Sequence, residues 1–541
     1  MSASASRTSA TSTDVTRGPS HNRRIARSTG LLAMATGLSR VLGFVRDILI
    51  ARLFGTTAPA QAFVVAFRLP NLLRDLVAEG AVTSAFVPVL SWYKAKGKME
   101  EFWHLSQALL SQLIVLLCAL GLIGVVAAPF IVRLIAPGFA ADPEKLALTV
   151  LLTRLLFPFI TLVGLWAYFM GLLNTLGHFT LPGLGPAILN LAMIVACIWF
   201  VPRVHPGVVA LAVGVIIGGV IQLIIQVPVA LRYGFRWGWR WTHPGSDEIL
   251  RLLGPRMLGS AVYQANVLID TMLASLSAVV GEGAVVAVYF ANRLVQLPLA
   301  LFGTASAQAS LPALAEQAAH HDMEGFRSTL LSVVRMVGFV ILPSAIGLMV
   351  LAFPIVGGLF ERGAFDHRST VMTSQAVIFY SLGLLAYAVS KVMTGAFYAL
   401  RDTWTSVRLA MEAVAVSVLL SLALMWPLKI SGLALAAAIA NSLNAYRLTR
   451  RMERRLGAPL LRPASGPLAR MLLASLVMGL GCWFVWHVFA SHVRAWVGLV
   501  IVILDGVALY VCACRLLRVQ ELSTAARWLS KVPLLQRFIG D

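Results

Sequence analysis

The stretch Leu38–Gly55 reads LSRVLGFVRDILIARLFG, and it continues as TTAPAQAFVVAFR to Arg68 and LPNLLRDLVAEG to Gly80. It opens inside an apolar run long enough to cross a bilayer, for which about 20 residues suffice. That run nevertheless holds Arg40, Arg46, Asp47 and Arg52, and Arg68, Arg74, Asp75 and Glu79 follow it. A charged side chain at bilayer depth costs about 2.5–3.5 kcal/mol on insertion scales. Several charges in adjoining apolar segments therefore point to a polar cavity or pathway inside a helix bundle.

The rest of the chain agrees with a membrane setting. Its 541 residues are 59% hydrophobic and 12% charged, against about 25% charged in soluble domains. The mean hydropathy is +0.83. The net charge of +21 sits in tails and short loops between apolar runs. There it reports topology and attraction to anionic membrane lipid, and nucleic acid is not the expected partner. The cysteines Cys118, Cys197, Cys482, Cys512 and Cys514 all lie in apolar segments, and their spacing offers no paired metal-binding motif. No phosphate-cradling loop marks a nucleotide site, and no catalytic arrangement stands out. His320-His321 sits beside Asp322 and Glu324 and reads as a solvated connection.

Apolar segmentation predicts an all-α polytopic membrane protein with about 14 spans, the first two at 30–54 and 76–93. Residues 1–27 are rich in Ser, Thr and Arg and read as a disordered tail. Six spans fill 28–232 and six fill 233–450; two more fill 451–517, and 518–541 form a second tail. Lys and Arg cluster in alternate connections, most densely at Arg447, Arg450, Arg451, Arg454, Arg455 and Arg462. By the positive-inside rule both termini are cytoplasmic. Arg68 and Arg74 run against that bias, because this segmentation puts them in the first outside connection.

An internal repeat appears at an offset of about 225 residues. AFVPVL at 85–90 pairs with ASLPAL at 309–314, and PFIVRL at 129–134 with PIVGGL at 354–359. Gly138 falls on Gly363 and Gly171 on Gly395. Six-helix units in parallel repeat form two lobes, N and C, around a central cavity, which is a transporter architecture. The last two helices lie outside the repeat.

Seven residues advance an α-helix by nearly two turns, so Arg40 and Asp47 share a face with Gly43 between them, and Arg46 widens the cationic arc. Asp75 and Glu79 are one turn apart beside Arg74. In the second half, Asn292, Arg293 and Gln296 form a polar turn. Such a set suits a polyanionic head group, because a guanidinium forks onto phosphate oxygens and stays charged. Asp270 and Glu412 are carboxylates within spans and read as candidate proton or cation relays. Arg408, one turn before Glu412, offers it a simple ion pair instead.

The motifs SRVLGFVRD at 39–47, FRLPNLLR at 67–74, AEGA at 78–81, APGF at 136–139 and FYALRDT at 397–403 closely resemble those of the MurJ (MviN) family of bacterial lipid II flippases, within the exporter superfamily that includes the MATE transporters. The resemblance covers residues 28 to 520. It implies fourteen helices in two lobes and alternating access. It also implies transfer of an undecaprenyl-diphosphate-linked peptidoglycan precursor from the inner to the outer leaflet, without enzymatic chemistry and with Na+ or H+ as coupling ion in place of a cofactor. The family's cavity arginines match Arg40, Arg46, Arg74 and Arg293, with Asp47, Glu79 and Asn292 beside them. Asp270 matches an acidic residue of a sodium site in some members, and the last two helices would hold the lipid tail. Another lipid-linked oligosaccharide flippase or a cation-coupled multidrug antiporter of the superfamily is the alternative. Gln61, Asn292 and Gln296 are neutral where some members carry acids.

Overall fold

The computed structural model describes residues 19–74, 85–489 and 495–529, with the backbone alone at 19–33, 250, 252–263, 495 and 526–529. Asp75 and Glu79 therefore lie outside the described residues. The described chain is helical and contains no strand.

The first half contains α1 (Pro19–Phe54), α2 (Ala58–Arg74), α3 (Val87–Ala95), α4 (Met99–Ile135), α5 (Pro143–Leu156), α6 (Phe159–Leu176), α7 (Thr180–Val195) and α8 (Gly207–Arg232). The second half starts with α9 (Pro244–Ala274), α10 (Ser277–Val280), α11 (Ala284–Pro298), α12 (Ala305–Ala319) and α13 (Met323–Val350). It continues with α14 (Ala352–Phe360), α15 (His367–Leu382), α16 (Leu384–Ala399), α17 (Thr403–Leu428) and α18 (Ile430–Leu456). The chain closes with α19 (Leu461–Phe489), α20 (Ala495–Leu516) and α21 (Glu521–Leu529).

Among the described residues, nine helices or joined helices are long and apolar enough to cross a membrane, and the pair α15 and α16, bent by 48°, makes a tenth. α1, α9 and α18 have the length but are more polar, because charges such as Arg46, Asp47 and Asp270 ride on them. The outward-facing surface is correspondingly greasy: Leu122, Ile123, Val126 and Phe130 on α4 are all at least 60% exposed. In water such a stripe would be unfavourable; in lipid it is matched.

The main departure from the sequence reading is α2. Residues 58–74, expected as a connection, form a helix whose stretch Ala60–Ala66 is buried. Its Phe63, Val64 and Val65 join the main core, and Pro59 fits the first turn, where no backbone donor is needed. Arg68 and Arg74 are thus on a buried helix and are no exception to the loop-charge bias. The run of apolar residues is short and diluted by Ala, Gln and Arg, so segmentation by hydropathy passes over it.

One hydrophobic core runs through both halves, from Phe63 on α2 to Phe290 on α11 and Phe360 on α14. A second lies within the later half around Phe326 and Phe397. A third packs α19 and α20 against α13 through Met471, Met478 and Phe339. The last two long helices therefore lean on one side of the second half, outside the repeated units.

The repeat is visible where the halves meet. Gly138, after α4, lies so close to Ser275 at the end of α9 that a side chain there would collide with its carbonyl. Its repeat partner Gly363, with φ at +63°, would likewise drive a side chain into the carbonyl of Arg52 at the end of α1. Each half places its glycine against a helix end of the other. Ala364 N donates to Arg52 O at 2.8 Å, and Gly138 N to Ser275 Oγ at 3.2 Å. This end of the bundle is closed.

Candidate functional site

Behind the closed end, a cavity of about 370 Å3 lies between the halves. α2 contributes Arg68 and Arg74, α9 contributes Asp270, and α11 contributes Asn292 and Arg293; Arg46 on α1 forms part of the wall. Four arginines and one aspartate line it, so the lining is cationic.

Asp47 stands behind that wall, 1% exposed. Arg46 bonds its Oδ1 through Nη2 at 2.7 Å and Nε at 3.0 Å. Arg293, from the other half, bonds Oδ2 through Nε at 2.9 Å. Tyr289, one turn before Arg293, donates its hydroxyl to Asp47 Oδ1 at 3.2 Å, and Arg293 lies over the Tyr289 ring at 5.7 Å. Arg46 Nη1 also donates to Asn190 Oδ1 at 2.8 Å, while Asn190 Nδ2 donates to Ser39 O at 3.0 Å. Asn190 thus fastens α7 to α1 and fixes the guanidinium. Gly43 permits this, since a Cβ there would come within 3.2 Å of Asn190 Nδ2. The result is one carboxylate shared by two guanidiniums from opposite halves. Burying Arg46 would be costly without these partners. Arg293 differs from it in being 43% exposed at its side chain, so it is the cluster's accessible cation.

Around the cavity, Arg68 Nε donates to Thr271 Oγ1 at 3.1 Å, joining α2 to α9, and Asn266 reaches Asp270 at 3.4 Å. Arg40 is not among the residues lining the cavity. It is exposed, as are Gly37, Leu38 and Val41, although α1 is fastened to α7 beside it, where Asn190 bonds Ser39 O. Glu412 is also elsewhere. It is paired with Arg408 at 3.2 Å and Arg447 at 2.9 Å in a separate concavity formed by α17 and α18. Glu79 falls outside the described residues.

Near the closed end sits a second polar cluster. Asp142-Pro143 starts α5, with Asp142 Oδ1 accepting from Lys145 N at 3.0 Å, a regular N-cap. That start turns Lys145 inward, where it is 4% exposed. Lys145 Nζ donates to Glu282 Oε1 at 2.7 Å and to Gln61 Oε1 at 3.1 Å. Gln61, fully buried, donates Nε2 to the same Glu282 oxygen at 2.6 Å. Lys145 also lies over the Phe139 ring at 4.2 Å. Burial disfavours the charge on Glu282, but the hydrogen bonds from Lys145 and Gln61 outweigh it and hold the carboxyl below its ordinary value. Thr56 Oγ1 and Ser369 Oγ, 2.7 Å apart, add a further bond between the halves.

Sequence reasoning singled out Arg46, Asp47, Arg74, Arg293, Asn292 and Asp270. It missed Tyr289 and Asn190, ordinary residues in apolar helices, and it missed Lys145 and Glu282. Gln61 was noted as neutral; its carboxylate partner comes from position 282 of the other half, with no local spacing to reveal it.

The family described as "Lipid II flippase MurJ" matches residues 50–503. A "Probable lipid II flippase MurJ" of Vibrio cholerae serotype O1 is 34% identical over 467 residues, covering 84% of this chain and 88% of that one. A "Lipid II flippase MurJ" of Burkholderia cenocepacia is 33% identical over 419 residues, covering 76% and 81%. Among solved structures, "Lipid II flippase MurJ, inward closed conformation" superposes with a TM-score of 0.76 at 24% identity over 90% of this chain and 98% of that one. An inward-facing multidrug resistance MATE family transporter of the MOP superfamily gives 0.66 at 15% identity over 77% and 94%. At those identities the two structures speak for the fold alone.

Proposed function

The chain belongs to the MurJ family of lipid II flippases, and from that premise we propose that it moves lipid II from the inner to the outer leaflet of the bacterial cytoplasmic membrane by alternating access. No covalent bond changes; the protein binds, reorients and releases. The single observation that carries this reading is the carboxylate of Asp47 shared between Arg46 and Arg293 across the two halves, beside a cationic cavity.

The substrate's diphosphate is the group those cations suit. Arg293 and Arg74 meet it from the cavity side, forked onto its oxygens, while buried Arg46 holds Asp47 and sets the position of Arg293. Asn292 adds a neutral polar contact. A bound diphosphate competes with Asp47 for Arg293, and that changes the attraction between the N-lobe (28–232) and the C-lobe (233–450). Binding energy that differs between inward and outward states is all that a shift of population requires. Helices of 451–517 accommodate the lipid tail. Arg40, exposed past the midpoint of α1 and two turns before Asp47, attracts the anionic headgroup toward those cations.

Both termini lie in the cytoplasm under this reading, following the arginines of the 447–462 connection. The end sealed by Gly138, Gly363 and the Lys145–Glu282 pair then faces outward, and this conformation has its outer gate shut. Asp270, facing the cavity near Arg68, is the carboxylate assigned to Na+ or H+ coupling; Glu412 is held in its own ion pairs. An antiporter for cationic drugs is the weaker reading, because four arginines in the lining would repel such a cargo.

Complementation tests this. A bacterium depleted of its own flippase, supplied with this chain, should regain growth and expose lipid II to an outside probe. Arg293→Gln and Arg46→Gln variants, present in the membrane at wild-type level, should fail both assays. Full lipid II exposure with either variant would overturn the site; no exposure with the unaltered chain would overturn the activity.

A further inference from the structure

A second charged concavity, of about 950 Å3, opens where the beginning of α17 meets the end of α18. Trp404 and Arg408 come from α17, and Arg447, Arg450, Arg451 and Arg454 come from α18. The turn at Gly457–Pro459 closes one side. Two carboxylates share this space. Glu412 is held by Arg408 and Arg447. Glu453 takes Arg450 at 3.2 Å and the backbone N–H groups of Leu460 and Leu461, each at 2.8 Å. Both are saturated, and five arginines face them. Arg451 and Arg454 have no carboxylate partner among the described residues.

A topological signal needs only the number of positive charges near a span. It does not require a concave wall, a floor of paired carboxylates or aromatic rims. Here Trp404 is 66% exposed and Tyr446 50% exposed at the mouth, with Leu409 beneath. Arg450 is fixed against Tyr446 by a hydrogen bond at 3.2 Å and lies over its ring at 5.5 Å. Exposed Trp and Tyr at the end of a membrane helix sit at head-group depth, and α17 is such a helix. Shape, depth and charge agree on a ligand whose anionic head lies at the interface. The turn beyond the pocket is itself anchored: Arg327 Nη2 of α13 donates to Pro459 O at 3.0 Å.

We propose that this concavity binds the phosphodiester headgroup of an anionic phospholipid from the cytoplasmic leaflet. The assignment of the leaflet rests on the orientation proposed above. Arg451 and Arg454 supply uncommitted guanidiniums to the phosphate oxygens, and Trp404 and Tyr446 flank the glycerol region. A lipid held there packs between α17, α18 and the turn into α19, outside the substrate cavity.

The test uses the full chain purified in a neutral detergent. It is titrated with dioleoyl phosphatidylglycerol or dioleoyl phosphatidylcholine, and retained lipid is read by native mass spectrometry. The unaltered chain should retain phosphatidylglycerol well above phosphatidylcholine. Arg451→Gln and Arg454→Gln should each lower that retention about fivefold, the effect of one basic residue near an anionic surface, with phosphatidylcholine unchanged and thermal melting unaltered. Equal phosphatidylglycerol retention by the unaltered chain and the double variant would overturn the proposal. So would displacement of phosphatidylglycerol by millimolar inorganic phosphate, which would mark a site for a soluble anion. Failure of the unaltered chain to complement depleted cells would defeat the flippase reading while leaving the lipid measurement standing.

Discussion

Asp47 is a one-residue hinge between chemistry and packing. It is 1% exposed, its neighbour Arg46 is 6% exposed, and Arg293 from the other half completes the pair. Removing one partner of a buried ion pair costs about 3–5 kcal/mol because the other charge stays behind unpaired. Asp47→Asn should therefore lower the melting temperature of the purified protein and abolish complementation. Arg46→Lys should keep the charge yet lose function, since an ammonium cannot span Asp47, Asn190 and Tyr289 together; full activity of the lysine variant would contradict the geometry. Glu282 offers a readout in pH. Its proton affinity is lowered in the fold, so its stabilisation is present above its ordinary value and is lost as pH falls through the folded one, below 4.5. The unaltered chain should melt higher than Glu282→Gln at neutral pH, and the two curves should converge below that value.

Helices acquire their roles here through their ends. α1 carries the arginine cluster in its interior and the closed gate at its C-terminus, where Arg52 O accepts from Ala364 N. α2 was legible in the sequence only as charges in an unexpected place; as a buried helix it brings Arg68 and Arg74 to the cavity. Gly363 at φ +63° gives the gate its tight approach to α1, a backbone conformation that side chains disfavour. Thr56→Cys with Ser369→Cys, replacing hydroxyls 2.7 Å apart, should form a disulfide on mild oxidation and arrest lipid II exposure, with recovery on reduction. Adding Gly363→Val should reduce the yield of that cross-link by holding the gate apart. An unchanged yield would mean that the close approach of Gly363 is not what lets the gate shut.

At the level of the whole molecule, closure depends on groups far apart in the chain. Lys145 and Gln61, bonded to each other within the first half, reach Glu282 only when the halves meet. Lys145→Glu and Glu282→Lys should each weaken the closed state and impair complementation. The double exchange should recover part of it, with a coupling of about 0.5–3 kcal/mol in a thermal double-mutant cycle; strictly additive losses would show that the pair does not hold the gate. The membrane class, most helices, the repeat and the arginine-bearing faces of α1 and α11 could be read from the chain alone. Lipid solvent forces long apolar runs, and charge inside such a run is rare enough to be noticed. The partners could not be read in that way. Which carboxylate answers Lys145, why Gln61 can be neutral and that Arg447 joins Arg408 on Glu412 all depend on distances between helices. Period and hydropathy act over one or two turns, whereas these contacts join residues from 35 to more than 240 positions apart, and only the packing of helix on helix, within a half or between the halves, brings them within reach of a hydrogen bond.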